Sequence, residues 1–198
     1  MTIQSFAELC IRALGFNNNE KIEERDALGI ADIERAVLIR EMLNNGGNLT
    51  SEYYMEFTAP LEYDKQMKLP FIYKPCQLLN LPHHQAYRYV GTGNTEDSYL
   101  PMTWAEIVNY SRLEAGQAGG RTIFSPLEDK VYFRYMPEPR PSNIKLLLVP
   151  SLLWMYENED DNDLLGTDSL AGEMFDMILQ RLQIRRQTPI DNYNNNKP

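Results

Sequence analysis

The residues able to do chemistry are few and scattered. His83 and His84 are the only histidines and Cys10 and Cys76 the only cysteines. Adjacent residues of a strand point to opposite faces, so His83 and His84 do not converge on one ion. One of them with Cys76 falls short of a zinc ligand set. Cys10 lies in an apolar helical stripe, where a free cysteine is ordinarily packing material. No strand-turn-helix elbow around a nucleophile and no Walker-type loop occurs. "GTGNTEDSY" lacks the third glycine and following helix of a dinucleotide turn, leaving Gly91 and Gly93 as turn residues. Carboxylates such as Glu52, Glu56 and Glu62 are plentiful without forming a recognisable acid-base pair. The acidic run Tyr156 to Asp163 lacks the alternating ligands, central glycine and distant glutamate of a calcium loop, and reads as a solvated loop. The expectation is no catalytic residue, no metal site, no cofactor and no enzyme activity.

The chain has 198 residues, 43% hydrophobic and 24% charged, with a formal net charge of −9. That balance disfavours a protein that grips nucleic acid through clustered lysine and arginine, but suits one past which DNA must slide. Two cysteines make no disulfide framework. No segment has the apolar length of a membrane span and no secretory leader pattern opens the chain, so it reads as soluble and not exported by the general route.

The elements are legible from periodicity. Ile3, Phe6, Ala7, Cys10, Ile11 and Leu14 form one helical face, stopped by Gly15. A second helix is expected from about Ile30 to Leu43, with Ile33, Ala36 and Val37 inward, closed by Asn44 to Gly47. The middle of the chain, rich in Tyr and Phe and broken by Pro60, Pro70, Pro75 and Pro82, permits only short strands. "HQAYRYVGTG" is the clearest of them. Thr103 and Glu106 form a capping box for a helix closed by Gly116. "TIFSPLEDKVYFRYM" predicts a hairpin with its turn preset by Pro126, and "IKLLLVPSL" a buried strand paired with that hairpin. A long helix with apolar residues on two sides, capped by Thr167 or Asp168, runs to Arg186. Arg181, Arg185 and Arg186 complement its dipole or meet an acidic partner. Together these give an α+β fold: helices packed with a small antiparallel sheet or hairpin, and a long C-terminal helix followed by an extended tail. Residues 1–187 are taken as one α+β domain and 188–198 as the tail.

About the last 80 residues carry a resemblance. The order "TIFSPLEDKVYFRYMPEP", "IKLLLVPSL" with Val149-Pro150-Ser151, a polar loop, a helix to Arg186, then Pro189 with Asp191 and an Asn-rich end resembles the head-to-tail connector, or ring, proteins of crAss-like tailed bacteriophages. The resemblance implies a structural virion protein: a subunit of a homo-oligomeric, dodecameric neck ring beneath the portal. Such a ring joins capsid to tail and lines a channel through which DNA passes without specific binding. It implies assembly in the host cytoplasm and contact with portal, neighbouring ring or tail proteins, with no membrane. Pro189, Ile190, Asp191, Tyr193, Asn194, Asn195 and Asn196 become a partner-binding arm, and Arg181, Arg185, Arg186, Tyr132, Phe133 and Tyr135 a candidate interface. The alternatives are a phage-encoded thiol- or carboxylate-dependent hydrolase, built on Cys76 or His84, and a cytoplasmic adaptor reading acidic ligands through "RLQIRR".

Overall fold

The computed structural model describes residues 2–13, 24–93, 97–110, 120–158 and 168–187, without the side chains of 13, 109–110, 168–170 and 181–187. The fold is α+β. The chain divides into two compact units, residues 1–49 with 155–198 and residues 50–154. The first boundary falls where the aromatic, proline-broken composition begins.

The first unit is helical. Helix α1 (Ile3–Ala13) fully buries Ile3, Phe6, Ala7 and Cys10, as its periodicity dictates. Helix α2 (Glu24–Asn44) packs against α1 and against the C-terminal helix. It begins six residues before the expected start, and its buried residues are Ala27, Leu28, Ala31, Glu34, Arg35 and Ile39. Ile33, expected inside, is 51% exposed. A scan of apolar residues rejects Arg35, whose long stem nevertheless packs fully inside and turns the stripe away from Ile33. The helix ends as expected, with Gly46 at φ 77° and the Gly47 N–H donating to Met42 O at 2.9 Å. The C-terminal helix α5 spans Asp168–Gln187 and buries Ala171, Met174 and Ile178 on one stripe, with Phe175, Met177 and Leu179 half-buried beside it. Before α5 in the chain, helix α4 (Leu152–Asn158) brings Glu157 to Arg25 and lets the Tyr156 hydroxyl donate to Glu24.

The second unit holds two sheets. Strands β1 (Met55–Pro60), β8 (Asn143–Leu148) and β4 (Tyr87–Gly91) form an antiparallel three-stranded sheet in the order β1-β8-β4. Strands β2 (Glu62–Asp64), β3 (Leu69–Tyr73), β7 (Lys130–Arg134), β6 (Ile123–Leu127) and β5 (Leu100–Pro101) form a five-stranded sheet in that order, with only β5 parallel to its neighbour. Ile144, Leu146 and Leu148 of β8 meet Ile72 of β3, Phe124 of β6 and Val131 and Phe133 of β7 in one core, with Ala59, Cys76, Val90 and Tyr99. Helix α3 (Trp104–Tyr110) lies beside β6. Its capping box is formed: the Thr103 N–H donates to Glu106 Oε2 at 2.7 Å and the Glu106 N–H to Thr103 Oγ1 at 3.3 Å. The expected end at Gly116 lies outside the described residues, as does Thr167.

Three expectations are corrected here. "IKLLLVPSL" forms β8, which pairs β1 and β4 and not the β6–β7 hairpin. An apolar run can meet a hairpin across a core as well as along an edge, and here Ile144, Leu146 and Leu148 do the former. Pro126 makes no turn: it stands in β6 opposite Val131, and the turn is Glu128-Asp129, with Glu128 at φ 50°. Proline is tolerated because β5 pairs β6 only at Ile123 and Phe124, so no partner strand seeks the missing N–H. Finally, His83 and His84 occupy a 3-10 turn at φ 50° and 58°, not a strand.

Candidate functional site

The outer face of the five-stranded sheet gathers a set of interacting polar and aromatic groups. Asp64 ends β2, and its Oδ1 accepts the N–H groups of Gln66 at 2.9 Å and Met67 at 3.0 Å, folding the chain back into β3. Its Oδ2 accepts the Tyr132 hydroxyl at 2.9 Å and the Lys130 ammonium at 3.5 Å. Lys130 Nζ stands 4.3 Å from the Phe71 ring centroid and 5.7 Å from that of Tyr73. Tyr132 is tilted against Phe71 at 5.8 Å and Trp104 at 5.2 Å. The antiparallel register sets Phe71 opposite Tyr132 and Tyr73 opposite Lys130, so these contacts follow from strand pairing.

The electrostatics follow the geometry. Hydrogen bonds from the Met67 N–H and the Tyr132 hydroxyl hold the Asp64 carboxyl below its ordinary pKa. Burial opposes the charged form of Lys130, but Tyr132 and Asp64 outweigh it and raise its pKa. Asp64 therefore stabilises the fold fully above its unfolded pKa of about 3.9 and loses that contribution as pH falls through its lower folded value. We expect Asp64→Asn to be less stable than the wild type at pH 7, with the gap narrowing as pH falls below the unfolded carboxyl pKa of about 3.9; thermal melts across pH 2–7 check this.

Around this fixed cluster, Tyr63 (52%), Met67 (44%) and Tyr73 (49%) are the large apolar side chains that β2, β3 and their turn leave exposed. The Arg140 guanidinium lies 5.7 Å over the Tyr63 ring. At the tip Lys68 adopts φ 56°, a left-handed conformation ordinarily left to glycine. Lys68→Gly is expected to stabilise the chain by up to about 1 kcal/mol in denaturant titrations.

The residues expected at an interface are dispersed. Phe133 is fully buried in the β-unit core, and Tyr132 is 4% exposed beneath Lys130. Both are already engaged within the chain. Tyr135 is half-buried at φ 59°, with the Arg134 guanidinium 5.9 Å from its ring. Arg181, Arg185 and Arg186 belong to the last two turns of α5, and their side chains lie outside what is described. Pro189, Ile190, Asp191, Tyr193, Asn194, Asn195 and Asn196 also lie outside the described residues.

The chemical candidates are equally separate. Burial pushes the Cys10 thiol up to about 11 and the Cys76 thiol up to about 12. Neither supplies thiolate at neutral pH. Ellman's reagent is therefore expected to leave both unmodified in the native chain at pH 7.5 and to titrate both in denaturant. His84 is held below its ordinary pKa by burial, against the attraction of Glu106, and its ring meets Tyr87 edge-on at 6.4 Å. Glu56 pairs with Lys145 at 2.8 Å, whereas Glu52 and Glu62 are exposed. Among the described residues, no group of three or more His, Cys, Asp or Glu side chains is placed to hold a metal ion, and no helix is long and apolar enough to cross a membrane. A cleft of about 210 Å³ beside β4 is lined by Thr92, Asp97, Tyr99 and Arg121, with Asp97 accepting the Thr92 hydroxyl at 3.2 Å.

Sequence reasoning missed Asp64, Lys130, Tyr63 and Tyr73. A signal existed for the first: an aspartate followed by three polar or flexible residues between two aromatic runs, "EYDKQMKLPF", is an Asx turn. The others depend on which strands pair. Comparison with known proteins found no matching family model and no matching curated protein.

Proposed function

We propose that this chain is a structural virion protein, a subunit of a head-to-tail connector ring beneath a bacteriophage portal, through which DNA passes without specific binding. The observation that carries the reading is the hairpin: Tyr73 stands exposed beside a base of Asp64, Phe71, Lys130 and Tyr132 that is already locked, while Tyr63 is exposed on the opposite face of β2 and Met67 at the turn. Aromatic and methionine side chains on a pre-ordered support suit a protein partner, because little side-chain freedom remains to be lost on docking. The order of motifs in the last 80 residues supplies the class of partner, and the net charge of −9 suits a channel that does not hold phosphates.

Co-expression with the portal protein of the same phage tests this. The expected result is a co-eluting complex whose negative-stain images show a second ring under the portal. Absence of any complex across low and high salt sinks the proposal.

A further inference from the structure

We infer that the tip of the β2–β3 hairpin, Lys65, Met67 and Lys68, docks on the helical unit of a second copy of this chain. Charge is divided unequally between the two units. Residues 1–49 with 155–198 carry seventeen acidic and nine basic side chains, whereas residues 50–154 carry eleven and ten. The helical unit thus bears nearly all of the net negative charge. The lysines are concentrated in the opposite sense: of seven in the chain, Lys65 and Lys68 lie at the hairpin turn, Lys74 directly after β3 and Lys130 on the strand beside it. Lys65, Gln66, Met67 and Lys68 are all exposed at the turn. Asp64, the only carboxylate between Tyr63 and Lys74, is turned inward to the N–H groups of Gln66 and Met67, to Tyr132 and to Lys130. The tip is therefore cationic and apolar on a chain that is acidic elsewhere.

Two further features favour docking by this tip. Lys68 holds a left-handed conformation that glycine would adopt without strain, and such outliers concentrate where a side chain is used. The root is fixed by Asp64, Phe71, Tyr73, Lys130 and Tyr132, so the tip is presented without an ordering cost. Contact of hairpin with hairpin is disfavoured. Tip against tip opposes lysine to lysine, and antiparallel pairing of two β2 edges centred on Tyr63 sets Glu62 opposite Asp64. The contact is then basic tip to acidic unit: reciprocated about a two-fold axis it gives a dimer, and unreciprocated it closes into a ring if the rotation permits and otherwise extends. Ring closure rests on the proposed function; the contact itself does not.

Sedimentation velocity on the full chain, over a concentration series at low salt and at about 0.5 M salt, compares wild type with Lys65→Glu/Lys68→Glu. We expect self-association that weakens with salt, and at least about tenfold weaker association for the variant. Carbodiimide cross-linking of mixed light and heavy-isotope protein should join Lys65 or Lys68 of one copy to carboxylates within 1–49 or 155–198 of another. The inference is overturned by wild type that stays monomeric at every concentration, or by a variant of unchanged tryptophan-detected stability that associates as well as wild type. It is equally overturned if the variant loses only retention by duplex DNA. Portal capture reads the ring proposal separately. Salt-sensitive, tip-dependent association without capture sinks the ring and leaves the contact standing, and capture with tip-independent association does the reverse.

Discussion

Phe133→Ala lowers the unfolding free energy of the β unit by about 3–5 kcal/mol, the cost of a large cavity in a packed core. Phe133 is fully buried, stands edge-on to Tyr99 at 5.9 Å, and packs among residues of both sheets, including Val131, Ile144, Leu146 and Leu148. Neither sheet can close the void alone, because each keeps its register through its own ladder. Denaturant titration followed by tryptophan fluorescence isolates the effect, since Trp104 and Trp154, the only two tryptophans, lie in residues 50–154. Far-UV circular dichroism on the same samples follows the helices. A loss under about 1 kcal/mol would mean that Phe133 serves an interface and not the core.

Gly91→Ala has the next largest expected effect, a destabilisation of about 1–3 kcal/mol from overpacking. A Cβ at Gly91 would fall 2.5 Å from the Tyr89 hydroxyl oxygen and 2.7 Å from the Asp97 carbonyl oxygen. The first obstacle is a side chain that could swing, but its hydroxyl also accepts the Gly93 N–H at 2.9 Å. The second is backbone, two residues before Tyr99, whose N–H donates to Val90 O at 2.8 Å. Both sides of the loop must therefore move together. Tyr89→Leu in the same chain should recover only part of the loss, because the Asp97 carbonyl remains. Full recovery would show that the aromatic ring alone set the constraint.

Several local features were readable because their causes are local. The Ile3 to Cys10 stripe, the capping box of Thr103 and Glu106, the glycine stop after Asn44 and the β6–β7 hairpin each depend on residues a few positions apart. A backbone turn or a 3.6-residue period enforces them before any tertiary contact forms. The inward face of α2 was not readable, because that helix packs against α1 and α5 with the charged Arg35 fully buried. The two histidines likewise looked like strand residues, but the turn that follows Pro82 holds both in the left-handed region.

Fold class, the inward stripe of α1 and the acidic balance of the chain follow from the amino-acid order alone. Tertiary structure decided which strands are neighbours, and with that the candidate site. Phe71 is separated from Lys130 and Tyr132 by some sixty residues of chain, and only the β3–β7 register brings them together over Asp64. That register is chosen by burying Ile72 and Val131 on the other face, a free energy summed over both sheets and not written in either strand alone.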